Sequence, residues 1–159
     1  MGAGGLYAVE CLADARDRIN TTVSAVRAEM RADMMHDALR SDVLRALRAA
    51  GAGDTAEQAE VRKELQEHVK TLRDSLAETQ AADLGAEVQA AVQGVQAPLA
   101  AYVAQSERIV ELAWRDAAAA RAGWPEFQTA FTHLEGDLEK LRSEEHTSEL
   151  QSRVDISYA

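Results

Sequence analysis

The chain is short of everything that marks a disulfide scaffold, a strand-rich domain or a membrane span. A single cysteine, Cys11, leaves no internal disulfide to form, and that thiol reads as a small packed apolar group. Two prolines and an aromatic content of only 4% remove both the turn punctuation and the rings that a fold of many short strands requires. Positive charge is also in deficit. Seventeen Lys and Arg stand against 27 Asp and Glu, a formal net charge of -10, and a chain so acidic lacks the basic face that displaces counterions from a phosphate backbone, which excludes nucleic acid as a partner. No run approaches the ~20 apolar residues that cross a bilayer. The opening MGAGGLYAVECLADA is mildly apolar but has no basic n-region, so as written it is neither signal peptide nor span. It fits the outer end of a transmembrane helix that begins before Met1.

What is present favours helix. The 159 residues are 47% hydrophobic and rich in Ala, Leu, Glu and Arg, the size of one domain and the composition of an all-α one. From about Leu6 to about Ala50 there is neither Gly nor Pro, which predicts one helix near 65 Å long at about 1.5 Å per residue. Its lower half carries Leu12, Ile19, Val23, Val26 and Met30 at the spacing of a bundle seam. The upper stripe of Leu39, Val43, Ala46 and Leu47 falls on nearly the opposite side, so the buried face is expected to change within DMMHD, residues 33–37.

Gly51, Ala52 and Gly53 predict a turn, and Asp54 with Glu57 an aspartate form of the capping box, opening a second helix over 54–81. Val61, Leu65, Leu72 and Leu76 share one face with His68. Asp83 is the expected cap of a third helix over 83–120, whose seam runs Val88, Val92, Val95, Leu99, Tyr102, Ser106, Ile109, Ala113 and Ala117, with a kink at Pro98. Gly123, Trp124 and Pro125 predict the last turn, and a fourth helix over 125–141 buries Phe127, Phe131, Leu134, Leu138 and Leu141. The expectation is an antiparallel up-down-up-down four-helix bundle with a long first helix, occupying residues 1–141.

After Leu141 the apolar pattern stops. One choice of codons for Arg142 to Ser152 reproduces the constant strand of a widely used short-read sequencing adapter, Ile156 to Ala159 match its constant stretch beyond the index, and Arg153 to Asp155 fill the index position. Residues 142–159 therefore read as translated adapter, and His146 and its neighbouring glutamates carry no functional inference. The GAGG and GAGD strings are not phosphate loops, because no strand precedes either and no lysine follows in place.

Counting turns of helix, His36, His68 and Ser106 fall at one height in such a bundle, roughly 22 Å from the tip. Two imidazoles facing the core from adjacent helices can ligate a transition metal or a haem iron, with Asp33 or Asp37 as further ligand or support and Met34 and Met35 lining the pocket. The other readings are a small-molecule pocket in the same layer and a buried polar layer that fixes helix register, the histidines bonding each other, Ser106 or a backbone carbonyl. No CxxC, CxxCH or HExxH accompanies the pair, so no cofactor is assigned, and haem or metal on His36 and His68 stays the alternative. Arg40, Arg45 and Arg48 rise towards the tip, where they can recognise a carboxylate or pair with neighbouring acids. His133 lies off the apolar face of its helix. No nucleophile, base and oxyanion donor can be assembled, so an enzyme is not expected.

The segments DMMHDALRSDVLRAL, ELQEHVKTLRDSL and FQTAFTHLEGDLEKL resemble the four-helix-bundle sensor domain of bacterial methyl-accepting chemotaxis receptors, over about Leu6 to Leu141. The resemblance implies a periplasmic, non-catalytic module of a transmembrane receptor in the bacterial inner membrane. It further implies a homodimer that binds a small molecule or a periplasmic binding protein. Both membrane spans, the HAMP linker and the methylated signalling hairpin are missing from the sequence, and no residue matches a ligand-binding arginine of that family.

Overall fold

The computed structural model describes the backbone of residues 3–82 and 84–157 and the side chains of residues 12–82 and 84–151. Within these bounds the chain is all-helical: α1 Ala3–Ala49, α2 Thr55–Ala81, α3 Ala86–Arg115, α4 Ala117–Ala122 and α5 Trp124–Ser157. Asp83, expected as a cap, lies outside the described residues, as do the side chain of Cys11 and those of the opening segment before it.

The turns follow from local chemistry. Gly51 and Gly53 take φ of 85° and 69°, a left-handed backbone open to glycine at no steric cost, and this stops α1. Asp54 then caps α2, its carboxylate accepting from the Ala56 and Glu57 amides at 3.0 Å each. Glu57 turns away from the cap to Arg45, which also meets Glu60 and Glu64. Farther down, Arg31 pairs with Glu78. The order of these pairs sends α2 back along α1.

α3 runs unbroken through Pro98 and buries Val88, Val92, Val95, Leu99, Tyr102, Ser106, Ile109 and Ala113, the residues its sequence spacing picks out. It ends earlier than expected. Asp116 leaves the helix with φ -149° and ψ 88°, and its carboxylate accepts from the Ala118 and Ala119 amides to start α4. A helix expected to reach Ala120 is thus cut by a side chain that competes for free amides, the property that makes aspartate a cap and a poor interior residue. Gly123 separates α4 from α5, and an added Cβ there would meet Ile109 Cγ1 at 3.4 Å.

Two further expectations are revised. α5 continues past Leu141 to Ser157, because residues 142–157 contain neither Gly nor Pro to stop the helix. The seam itself fails there: after Leu134, Leu138 and Leu141 the next inward position holds Glu145, which is 7% exposed and whose carboxylate oxygens find no hydrogen-bond donor. The second revision concerns α1. Ala25, Ala28 and Ala32 face the core at its lower end, while Leu12, Ile19, Val23, Val26 and Met30 are exposed. Their spacing is that of a seam, yet among the described residues nothing covers them, because they lie about 160° around the helix from the alanines that face the core. Among the described residues no helix is long and apolar enough to cross a membrane.

Candidate functional site

The polar residues singled out by spacing divide into two groups. His36 is buried on α1, where its ring stacks on Phe131 of α5 with centroids 4.1 Å apart and planes 12° from parallel. Its Nε2 lies 3.2 Å from Phe131 O. A carbonyl only accepts, so Nε2 carries the proton and donates. Tyr102 of α3, 5.1 Å from the same ring between centroids, donates its hydroxyl proton to His36 O at 2.8 Å. Ser106, one turn further along α3, donates to Tyr102 O at 2.8 Å. Phe127 closes the layer 5.3 Å from Tyr102, and the Arg40 guanidinium lies 4.6 Å from the Phe131 ring centre, a cation–π contact on the outer side.

His68 belongs elsewhere. It is half-buried on α2, and its Nδ1 lies 2.7 Å from Oδ2 of the buried Asp42 on α1. No hydrogen bond or ring contact joins it to His36. Equal height along the helices thus did not mean a shared partner, because His36 points between α3 and α5 while His68 meets α1 from its α2 side. Asp33 and Asp37 stay exposed; Asp33 pairs with Arg142 at 3.3 Å. Met34 is exposed and Met35 packs against the core edge. His133 is on the surface, 3.8 Å from Asp137.

Electrostatics follow burial. Loss of water holds the His36 imidazole below its ordinary value, opposed by the bond to Phe131 O and by Asp37, Glu135 and Asp33 nearby. Burial pushes the Tyr102 phenol up, so it stays a donor. Burial also raises the Asp42 carboxyl, against the pull of the His68 bond. At the tip, hydrogen bonding to Glu57 holds the Arg45 guanidinium above its ordinary value, and the same bond lowers Glu57. Arg45 is thereby committed to three acids of its own chain.

Tyr102 and Phe131 were legible in the sequence only as core residues. A phenol in a seam must find an acceptor when buried, and that requirement was the signal for its role. Asp42 carried no comparable signal, standing among Arg40, Ser41 and Arg45 in a mixed stretch. Chemically, the His36 layer is a closed hydrogen-bonded aromatic cluster whose polar contacts go to backbone carbonyls. Among the described residues no group of three or more His, Cys, Asp or Glu is arranged to hold a metal ion. A shallow groove of about 630 Å³ runs along the outer face of α5 past Thr129, His133, Gly136 and Lys140, away from the layer.

Comparison with protein-family models, with curated proteins and with solved structures finds no match to this chain.

Proposed function

We propose that the chain is the sensing module of a transmembrane receptor of the methyl-accepting chemotaxis type. In this reading it is a periplasmic antiparallel four-helix bundle, with α4 and α5 together as the fourth element, that binds a small molecule or a periplasmic binding protein and performs no chemistry. The observation that carries it is the placement of the two chain ends. The α2–α3 turn reaches α5 through Leu84 and Ser148, and α1 is tied to α5 nearby through Glu29 and Arg142. The start of α1 and residue 141, the last of α5 before the adapter-derived tail, thus both lie towards the end of the stack that holds the α2–α3 turn. That is the arrangement a receptor needs in order to pass a change of helix packing through two membrane-bound ends.

The His36 layer joins α1, α3 and α5, so a ligand that alters α1 against α5 works directly against the stacked rings and the bonds to Phe131 O and His36 O. Residues 142–159, as translated adapter, have no part in this role, and a carboxylate in the seam at Glu145 agrees with a segment never selected to pack there.

Two measurements test the reading. A thermal-shift screen against amino acids, dicarboxylates and other small metabolites should find a compound that raises the melting temperature, since ligand at 100 times its Kd adds about 2.7 kcal/mol. Residues 1–141 grafted onto the spans and signalling portion of a chemoreceptor should then make kinase output respond to that same compound. A chimera that inserts and folds but ignores every stabilising compound would sink the proposal.

A further inference from the structure

Residues 30–37 of α1, MRADMMHD, hold the unit Met-x-x-Asp twice in succession. A repeat of four residues nearly matches one turn of helix, so Met30 and Met34 stand one above the other, about 40° apart around the axis and about 6 Å between Cβ atoms. Methionine is among the residues most often buried, yet these two are 61% and 62% exposed. Asp37, also exposed, lies one turn beyond Met34 on the same face. The neighbouring candidates point elsewhere: Met35 packs against the core edge, and His36 turns into the bundle to bond Phe131 O.

We propose that Met30 and Met34 form a binding site for a soft monovalent cation, Cu(I) or Ag(I), with Asp37 beside it as the balancing charge. A thioether sulfur is polarisable and uncharged, a ligand that suits soft ions. Magnesium and calcium require oxygen donors and several of them. Two neutral sulfurs leave the ion its full charge, and a single carboxylate cancels that of a monovalent ion but only half that of a divalent one.

The surroundings fit a cation. Arg31 is drawn off to Ser75 and Glu78 of α2, and Asp33 is turned to Arg142, which leaves Asp37 as the acid of the row. Arg27, a turn below Met30, borders the face on the α2 side and limits the site to the stretch above it. The net charge of -10 favours approach of a positive ion over the whole surface. The helix holds both sulfurs within reach of one ion, and the three rotatable bonds of each side chain let them close on it. The proposal needs only α1 with this face in water, so it stands or fails separately from the sensing reading.

The test uses the full chain with Cys11→Ser, which removes the thiol that would take a soft ion first, and carbon-13 in the methionine methyl groups. Silver nitrate is titrated in chloride-free buffer, and Cu(I) is supplied without oxygen in competition with a chromogenic chelator. The Met30 and Met34 methyl signals should move together and saturate at one ion per chain while Met35 stays in place. Met30→Leu and Met34→Leu should keep the helical circular dichroism and each weaken both ions about tenfold or more, with Asp37→Asn weakening them by less. A thioether has no proton to lose, so the sulfur contacts should survive a change from pH 7 to pH 6 that weakens an imidazole site. The inference is overturned if neither methyl moves, if one moves without the other, or if calcium moves both alike. Binding unchanged by Met34→Leu, or lost instead on His68→Ala, overturns it as well.

Discussion

Tyr102 on α3 and His36 on α1 are joined through backbone as well as rings: the phenol donates to the carbonyl of His36 at 2.8 Å while the two rings tilt at 55° to each other. His36 repeats the device towards α5, donating to Phe131 O. Three helices are thus registered by bonds to main-chain oxygens, which fix height along an axis whatever side chain stands there.

Tyr102→Phe keeps the packing and removes one buried hydrogen bond. It should cost about 1 kcal/mol, a fall of about 2–4 °C in melting temperature for a chain of this size. Tyr102→Ala opens a cavity as well and should cost about 3–5 kcal/mol. Thermal melts followed by circular dichroism would separate the two; equal losses would show that the hydroxyl, not the ring, holds the layer.

His36 makes stability depend on pH. Its folded pKa is depressed by burial, so the unfolded chain takes up the proton first. The contribution is complete above the unfolded value of about 6.5 and is lost as pH falls from there through the folded pKa. Melting temperature should therefore drop between pH 7 and pH 5, and His36→Phe should lose that part of the slope. A variant with the wild-type slope would move the effect to another group.

The helices themselves could be read directly from the chain: Gly51 and Gly53 stop α1, Asp54 caps α2, and the period of Val88 to Ala113 finds the buried face of α3. Periodicity reports that a face is apolar, not what covers it. Ile19, Val26 and Met30 had the spacing of a seam and remain in water, because the face of α1 that packs is the one opposite them, carrying Ala25, Ala28 and Ala32. His68 shows the same limit for polar residues, since equal height with His36 could not reveal that it would find Asp42. Asp116 was hidden for a different reason. Five helix-favouring neighbours outvote one aspartate in any window average, yet its carboxylate captures two amides and breaks the helix.

Glu145 stands where α5 requires an apolar residue, and burial beside Glu29 pushes its carboxyl up to about 8. The protonated form is favoured by folding, so its contribution is present below the unfolded value of about 4.5 and is lost as pH rises towards 8. Glu145→Leu should raise melting temperature by several degrees at pH 8 and by much less at pH 5, consistent with about 1–3 kcal/mol for an unsatisfied buried polar group. Equal effects at both pH values would rule out the charge as the cause.

Arg45 bonds Glu57 and Glu64 and lies 3.2 Å from Glu60. Arg45→Met should lower the melting temperature most in dilute buffer, where the three released carboxylates repel one another unscreened, and least at high salt. A loss that ignores salt would assign the effect to packing of the side-chain stem.

The buried face of α1 changes in size along its length. Below His36 it presents Ala25, Ala28 and Ala32; above it come Leu39 and Val43. Small side chains let helix axes approach to about 8 Å, and larger ones hold them nearer 10 Å. The alanines therefore draw α1 closest to its neighbours near the middle of its length, about 32 Å from Ala49 and about 38 Å from Ala3, with the His36 layer just on the tip side. A rocking of α1 about that point would swing its two ends by similar amounts in opposite directions. A displacement of the tip is thus returned at the other end at nearly the same size and with the opposite sign.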